Sequence, residues 1–455
     1  MAALPQLAQS RIVRAGLSQP GRAPGTVIRC GLTDAMMANV SVSVVFFYER
    51  ALDEELLADS LAAALALVPA FAGRLRPGEG GLEIVCDDSG APMTSFDIPE
   101  SLPAAMSRVT LPSSGLVAHV DAVAACSGDL PLLTVQVCRL ADGGMTLGCS
   151  WHHAIGDLRS FMLLMRAWSA AAEGGEQTEP AVLVGDRDAY LDQVLPDTDS
   201  GRPGIRLPDA DESAGRQREL EAAVLGGRVL QVYFTDAEVA RMRAAFTEAA
   251  GQRLSANDAL CGHLVATVRQ LDEDTDARRL ALAVDIRPRL GLPLTVVGNL
   301  TNEIYLTCAP AAAPEVIASQ IRSAIAGFAS DHLSIRSSHA LLAGIGPGRL
   351  AECVPVGFDL RNKTFTFNSW SRFGLYDTVL CGQRPVFFSP SLSVTVPWTS
   401  WLVEGCGGSG YLFTLVLPGK LAGRLRGADG RAALHRFREE SEELPPLAAT
   451  ARKLL

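Results

Sequence analysis

The eight residues Ser150-Trp151-His152-His153-Ala154-Ile155-Gly156-Asp157 constrain this chain more than any others. A strand-like apolar run, Met145–Ser150, leads into them. Beyond Asp157, apolar residues at 158, 161, 164, 165 and 168 keep helical spacing, with one face for a core. Two adjacent imidazoles therefore sit where one element gives way to another. Such junctions aim side chains into a cleft while rigid elements hold their backbone. Histidine is the side chain best poised to accept a proton near neutral pH, provided its ring is held. Asp157, four residues after His153, can hold that ring directly or tie down the turn that carries it. The plainer alternative makes Asp157 only an N-cap and the two histidines buried filler.

At 455 residues, the expectation is two or three domains. A hydrophobic content of 48% with 20% charge describes a folded chain able to bury a large core. The net charge of −10 argues against nucleic acid as a partner, which needs a basic face to neutralise phosphates. The ten cysteines are scattered without a Cys-x-x-Cys pair, and most lie in apolar runs. They read as reduced thiols of a cytoplasmic protein, and zinc is not expected without clustered ligands. No apolar run approaches the ~20 residues needed to span a bilayer. The most hydrophobic helical candidate, Leu56–Phe71, is interrupted by Asp59, Ser60 and Pro69. Arg11, Arg14, Arg22 and Arg29 precede the first acid, as in a transit peptide. Pro20, Gly21, Pro24 and Gly25 break any long amphipathic helix there, so an ordinary domain start is expected.

Along the chain, Val40–Tyr48 reads as a strand and Asp53–Leu67 as a helix that Pro69 ends. Leu132–Val137 and Met145–Ser150, joined through Asp142-Gly143-Gly144, form a hairpin whose second strand delivers the histidines. Pro196–Arg218, rich in Pro, Gly and Asp, is the best linker candidate. It suggests an N-terminal domain over 1–195, a crossover linker over 196–220 and a C-terminal domain over 221–455. Later strands are expected at Val229–Phe234, Leu280–Ile286, Thr364–Trp370, Val386–Phe388 and Tyr411–Leu417. Helices are expected at Asp236–Ala250, from Ser255 onward and at Ala313–Ala329, with a turn at Val296–Asn299. Strands and helices mix in both halves without the regular alternation of a doubly wound sheet, so the fold class is α/β with mixed sheets. His263, in an apolar helical run, reads as a satisfied core residue.

With the second half in view, the chain resembles the BAHD-type acyltransferases, within the wider chloramphenicol-acetyltransferase-like and condensation-domain group. His153 and Asp157 match the family's His-x-x-x-Asp motif, with His152 as the frequent extra histidine. Leu32-Thr33-Asp34, Ala72-Gly73-Arg74-Leu75, Gln136 with Gly143-Gly144, and Asn257-Asp258-Ala259-Leu260 resemble its secondary signatures. So do Val284-Asp285-Ile286-Arg287, Gly298-Asn299 and Ser369-Trp370, all in the family's order. Two departures stand out. Leu158 replaces the usual Gly after the motif Asp, and Val379-Leu380-Cys381-Gly382-Gln383 stands where the family has Asp-Phe-Gly-Trp-Gly. The flanks of the second departure keep their spacing, so it is a substitution without a gap.

The resemblance implies two similar domains with an active-site channel between them and the catalytic His reachable from both ends. It implies acyl-CoA as co-substrate, a small-molecule alcohol or amine acceptor, no permanently bound cofactor and a monomer. His153 is the expected general base. Asn368 and Trp370 match positions that in some members place donors near the oxyanion, although plain core packing also accounts for Trp370. Asp157 is expected to point away from His153 and pair with Arg287, an orienting role through structure. His152 is expected to pack, and Gly156 to serve backbone conformation or close approach. Two alternatives remain open. One is a condensation-type enzyme using carrier-bound acyl groups, and the other a non-catalytic homologue that binds small molecules. A Ser–His–Asp hydrolase is disfavoured because no Gly-x-Ser-x-Gly elbow is present.

Overall fold

The computed structural model describes residues 6–16, 25–78, 81–175, 179–195, 203–272, 276–328 and 335–444. Two six-stranded mixed sheets organise them. In the first, the strand order is Gln6–Val13, Ala91–Ile98, Leu133–Leu140, Met145–His152, Ser41–Tyr48 and Phe387–Pro390. In the second it is Gly227–Phe234, Tyr411–Pro418, Thr399–Glu404, Phe365–Ser369, Arg278–Asp285 and Thr301–Cys308. Each sheet has its own buried hydrophobic cluster. Together with the helices packed on them, the two sheets make an α/β fold.

The hairpin predicted around Asp142-Gly143-Gly144 is present, its strands paired antiparallel from Leu133↔Trp151 to Arg139↔Met145. Met145, Leu147, Cys149 and Trp151 alternate with the small or polar Thr146, Gly148, Ser150 and His152, and every one of the eight is buried, so both faces of this strand are covered. Helices Glu54–Leu67 and Leu158–Ala172 pack together, and the Trp168 indole N–H donates to Leu57 O at 3.0 Å. Asp53 caps the first helix, accepting from the Glu55 and Leu56 N–H groups. In the second half, Ser255 and Asp258 form a reciprocal capping box that starts the helix Ala256–Asp272. His263 lies buried in that helix and bonds Leu434 O at 2.7 Å.

The first sheet is not built from the first half alone. Phe387–Pro390 pairs antiparallel with Ser41–Tyr48, and Phe388 and Phe387 pack on Phe46 and Phe47 at 4.9 and 5.3 Å between ring centres. Burying each such ring contributes roughly 1.5–3 kcal/mol, so this strand is a strong tie between the halves.

Part of the stretch read as a linker carries regular structure. Residues 196–202 lie outside the described residues. Beyond them Ile205–Arg206 pairs with Val354–Pro355, and Ala210–Gly226 is a helix capped by Asp209. None of its side chains is buried. Its Ala, Glu and Arg residues are strong helix formers, and local propensity outweighed the absence of an apolar face. All ten cysteines are free thiols. Among the described residues, no helix is long and apolar enough to cross a membrane.

Candidate active site

Strand Met145–His152 ends in a one-turn 3-10 helix, His153–Ile155, which bends the chain toward the helix Leu158–Ala172. Several bonds stiffen this bend. The Trp151 indole N–H donates to Gly156 O at 3.0 Å, and the indole stacks on Phe161 at 4.2 Å. His152 is fully buried. Its Nδ1 accepts from the Ala154 N–H at 3.1 Å and its Nε2 lies 3.1 Å from Ala122 O, so both ring nitrogens serve the turn. Burial pushes its pKa below the ordinary histidine range, which favours the neutral ring. Gly156 serves close approach: a Cβ there would run into Ser160 Oγ and sit 3.0 Å from Gly298 N.

The His153 ring is half-buried. Its Nδ1 lies 3.0 Å from Asn299 Oδ1. The Asn299 Nδ2 group donates to Asp34 Oδ1 at 2.7 Å and to His153 O at 2.8 Å. With both amide protons committed, Asn299 turns its oxygen toward the ring. The proton of neutral His153 therefore sits on Nδ1, and Nε2 presents a lone pair. Asp34 is itself buried and accepts the Gly31 N–H at 2.8 Å. A small cleft lined by Asp34, Tyr190, Val297 and Asn299, but not by His153, lies beside this array.

Asp157 makes no bond to His153. Its carboxylate is gripped by Arg287, with Nη1 to Oδ2 at 2.8 Å and Nη2 to Oδ1 at 3.1 Å. It also caps the helix through the Ser160 N–H at 3.1 Å and accepts the Leu300 N–H at 3.2 Å. Asp157 is thus both the N-cap of this helix and an ion-pair partner of Arg287. Arg287 is fully buried and also binds Asp285 Oδ1 at 3.0 Å and the carbonyls of Val296 and Gly298. Burial alone would raise the Asp157 carboxyl, but Arg287 and the N–H donors hold it below the ordinary carboxylate range. Asp285 extends the tie through Arg159 at 3.1 Å.

Asn368 and Trp370 lie on and just beyond the strand Phe365–Ser369 of the second sheet. Asn368 Nδ2 donates to Ser400 O at 3.3 Å, and Trp370 packs near Phe388 and Trp401, each at 6.4 Å. Neither is hydrogen-bonded to the His153 array. Residues 379–383 form a tight turn closed by Leu380 and Gln383. Cys381 and Gly382 have positive φ, 52° and 71°. The turn docks on the helix after the histidines through Val379 with Ser169 and through Gly382 N–H to Glu173. A docking role of this kind needs a shape, not one particular sequence.

The His153 junction thus brings in Asn299 and, through it, Asp34, whose spacing from His153 along the chain gives no hint of contact. Among the described residues, no group of three or more His, Cys, Asp or Glu is placed to hold a metal. Residues 28–405 match the model of the transferase family. Agmatine coumaroyltransferase-1 of Hordeum vulgare is 24% identical over 402 residues, 84% of this chain and 89% of that protein. The pelargonidin 3-O-(6-caffeoylglucoside) 5-O-(6-O-malonylglucoside) 4'''-malonyltransferase of Salvia splendens is 24% identical over 371 residues, 76% of this chain and 79% of that one. Vinorine synthase superposes with a TM-score of 0.65 at 17% identity, covering 92% of this chain and 96% of the other. TRI101 of F. sporotrichioides, complexed with coenzyme A and T-2, gives 0.70 at 15% identity, covering 89% and 98%. With most of its length inside the family model, the chain belongs to this transferase family, the BAHD acyltransferases.

Proposed function

We propose that the chain transfers an acyl group from acyl-CoA to a hydroxyl or amine of a small-molecule acceptor, with His153 as general base in a ternary complex. The observation that carries this reading is the 3.0 Å contact between His153 Nδ1 and Asn299 Oδ1, which leaves Nε2 as the basic nitrogen. Nε2 removes the acceptor's proton as its O or N attacks the thioester carbonyl. The tetrahedral intermediate then expels the CoA thiolate, which takes the proton back from the imidazolium. General-base catalysis of this kind is worth ~10²–10⁴ in rate. No covalent acyl-enzyme is required, because the thioester is already activated. Asp157 and Arg287 hold the turn, while Trp370 and Asn368 offer N–H donors to the oxyanion.

Support for the substrate class comes from relatives named as malonyl- and coumaroyltransferases, including one acting on agmatine, and from the structural neighbour bound to coenzyme A. On this reading the enzyme works as a cytoplasmic monomer divided near residues 196–220, without a permanently bound cofactor. The test is mass spectrometry of products from acyl-CoA and metabolite-extract mixtures, comparing the natural protein with His153→Ala. Acylated products that vanish in the variant are expected. Equal product from both proteins would end the reading.

A further inference from the structure

Arg187 is a buried cation, 5% exposed, at the start of the helix Arg187–Val194. Just before it, Val182–Leu183 pairs in parallel with Val296–Val297, and this pairing brings Arg187 beside Gly298 and Asn299. Its Nη1 donates to Ala154 O at 2.6 Å and lies 3.0 Å from Asp34 Oδ2; its Nη2 donates to Ile155 O at 2.6 Å. The guanidinium packs against Gly298, where an added Cβ would lie 3.4 Å from Nε. One side chain therefore holds the main chain of the His153 turn and also the carboxylate that orients Asn299. A planar fork can serve two carbonyls and a carboxylate together, which a lysine ammonium cannot do in the same geometry.

We propose that Arg187 is a positioning residue that keeps the proton of His153 on Nδ1 by holding Asp34 Oδ1 against the Asn299 amide. The inference rests on His153 acting as the base. As a carboxylate Asp34 only accepts hydrogen bonds, so Asn299 must turn its NH₂ toward it and its oxygen toward the ring. Without the cation, Asp34 Oδ2 keeps only the Gly31 N–H, and the grip that aims Oδ1 at the Asn299 amide is loosened. The amide is then held through His153 O alone, and where it turns over, its NH₂ faces His153 Nδ1. The ring proton moves to Nε2, and the nitrogen that should receive the acceptor's proton is blocked.

The experiment is ¹⁵N nuclear magnetic resonance of histidine-labelled full-length protein, with His153 assigned from its absence in His153→Gln. The natural protein should show a protonated Nδ1 and an unprotonated Nε2. Arg187→Met should mix or reverse the two, and Arg187→Lys should fall between. CoA release from acetyl-, malonyl- and p-coumaroyl-CoA with amine and alcohol acceptors should drop ~10-fold or more in Arg187→Met, with KM for the acyl-CoA within about twofold. Where Arg187→Met does not fold, the near-isosteric Asp34→Asn carries the test and should reverse the tautomer likewise. A folded Arg187→Met or Asp34→Asn protein with the natural tautomer overturns the proposal. CoA release that persists in His153→Gln would instead remove the general-base reading, which separates the two failures.

Discussion

Asp157→Ala removes the carboxylate that joins the His153 turn to the second half, and its cost follows from the contacts it breaks. Arg287 loses two charge-assisted bonds, at 2.8 and 3.1 Å, but keeps Asp285 at 3.0 Å, so it is not left without a counter-charge. That places the broken buried pair near the low end of the usual range, about 3 kcal/mol. Loss of the helix cap on Ser160 N–H adds about 1 kcal/mol. The stranded Leu300 N–H adds about 1 kcal/mol more. These contributions share partners, so the net expectation is roughly 4–5 kcal/mol. Unfolding entropy scales with the residues that unfold together, and the loss corresponds to a Tm lower by roughly 4–10 °C. Asp157→Asn keeps the cap and should lose about half as much. Because the folded carboxyl titrates below its unfolded value of about 3.9, its contribution is present above that pH and disappears as pH falls through the folded pKa. The gap between the natural protein and Asp157→Asn should therefore close in acid and stay constant in alkali. Thermal unfolding by circular dichroism across pH 3–8 decides the matter. A Tm for Asp157→Ala within about 1 °C of the natural protein would refute the reasoning that this pair ties the halves together.

Asn299→Leu removes the acceptor that faces Nδ1 of the proposed base, so kcat in a CoA-release assay should fall ~10-fold or more. Trp370→Phe keeps the ring and removes the indole N–H. If that N–H serves the oxyanion, kcat should fall ~10²-fold with Tm almost unchanged, whereas a pure packing role leaves kcat intact. His263 is held neutral by burial, its pKa pushed down to about 4. Its contribution is present above the unfolded value of about 6.5 and is lost as pH falls toward 4, up to about 3 kcal/mol. His263→Gln should flatten the stability loss over that interval, measured by urea unfolding.

Much of this protein is legible in its sequence because local chemistry decided it. Met145–His152 declares itself by its two-residue alternation of Met145, Leu147, Cys149 and Trp151 with small or polar residues, Glu54–Leu67 by Asp53 and Pro69, and Ala256–Asp272 by Ser255 with Asp258. The histidine turn is visible for the same reason, since strand, turn and cap are all written within a dozen residues. Other features stayed hidden because their causes lie far away along the chain. Phe387–Pro390 looks like any short strand, and only tertiary pairing with Ser41–Tyr48 places it in the first sheet. Asn299 meets His153 across 146 residues and Asp34 across 265, and Arg187 reaches the same turn through a two-residue strand pairing. The sequence by itself determined that an imidazole would stand at a stiff strand-to-helix bend. Only the tertiary structure decided which of its nitrogens carries the proton, because that depends on an amide and a buried carboxylate brought in by other segments.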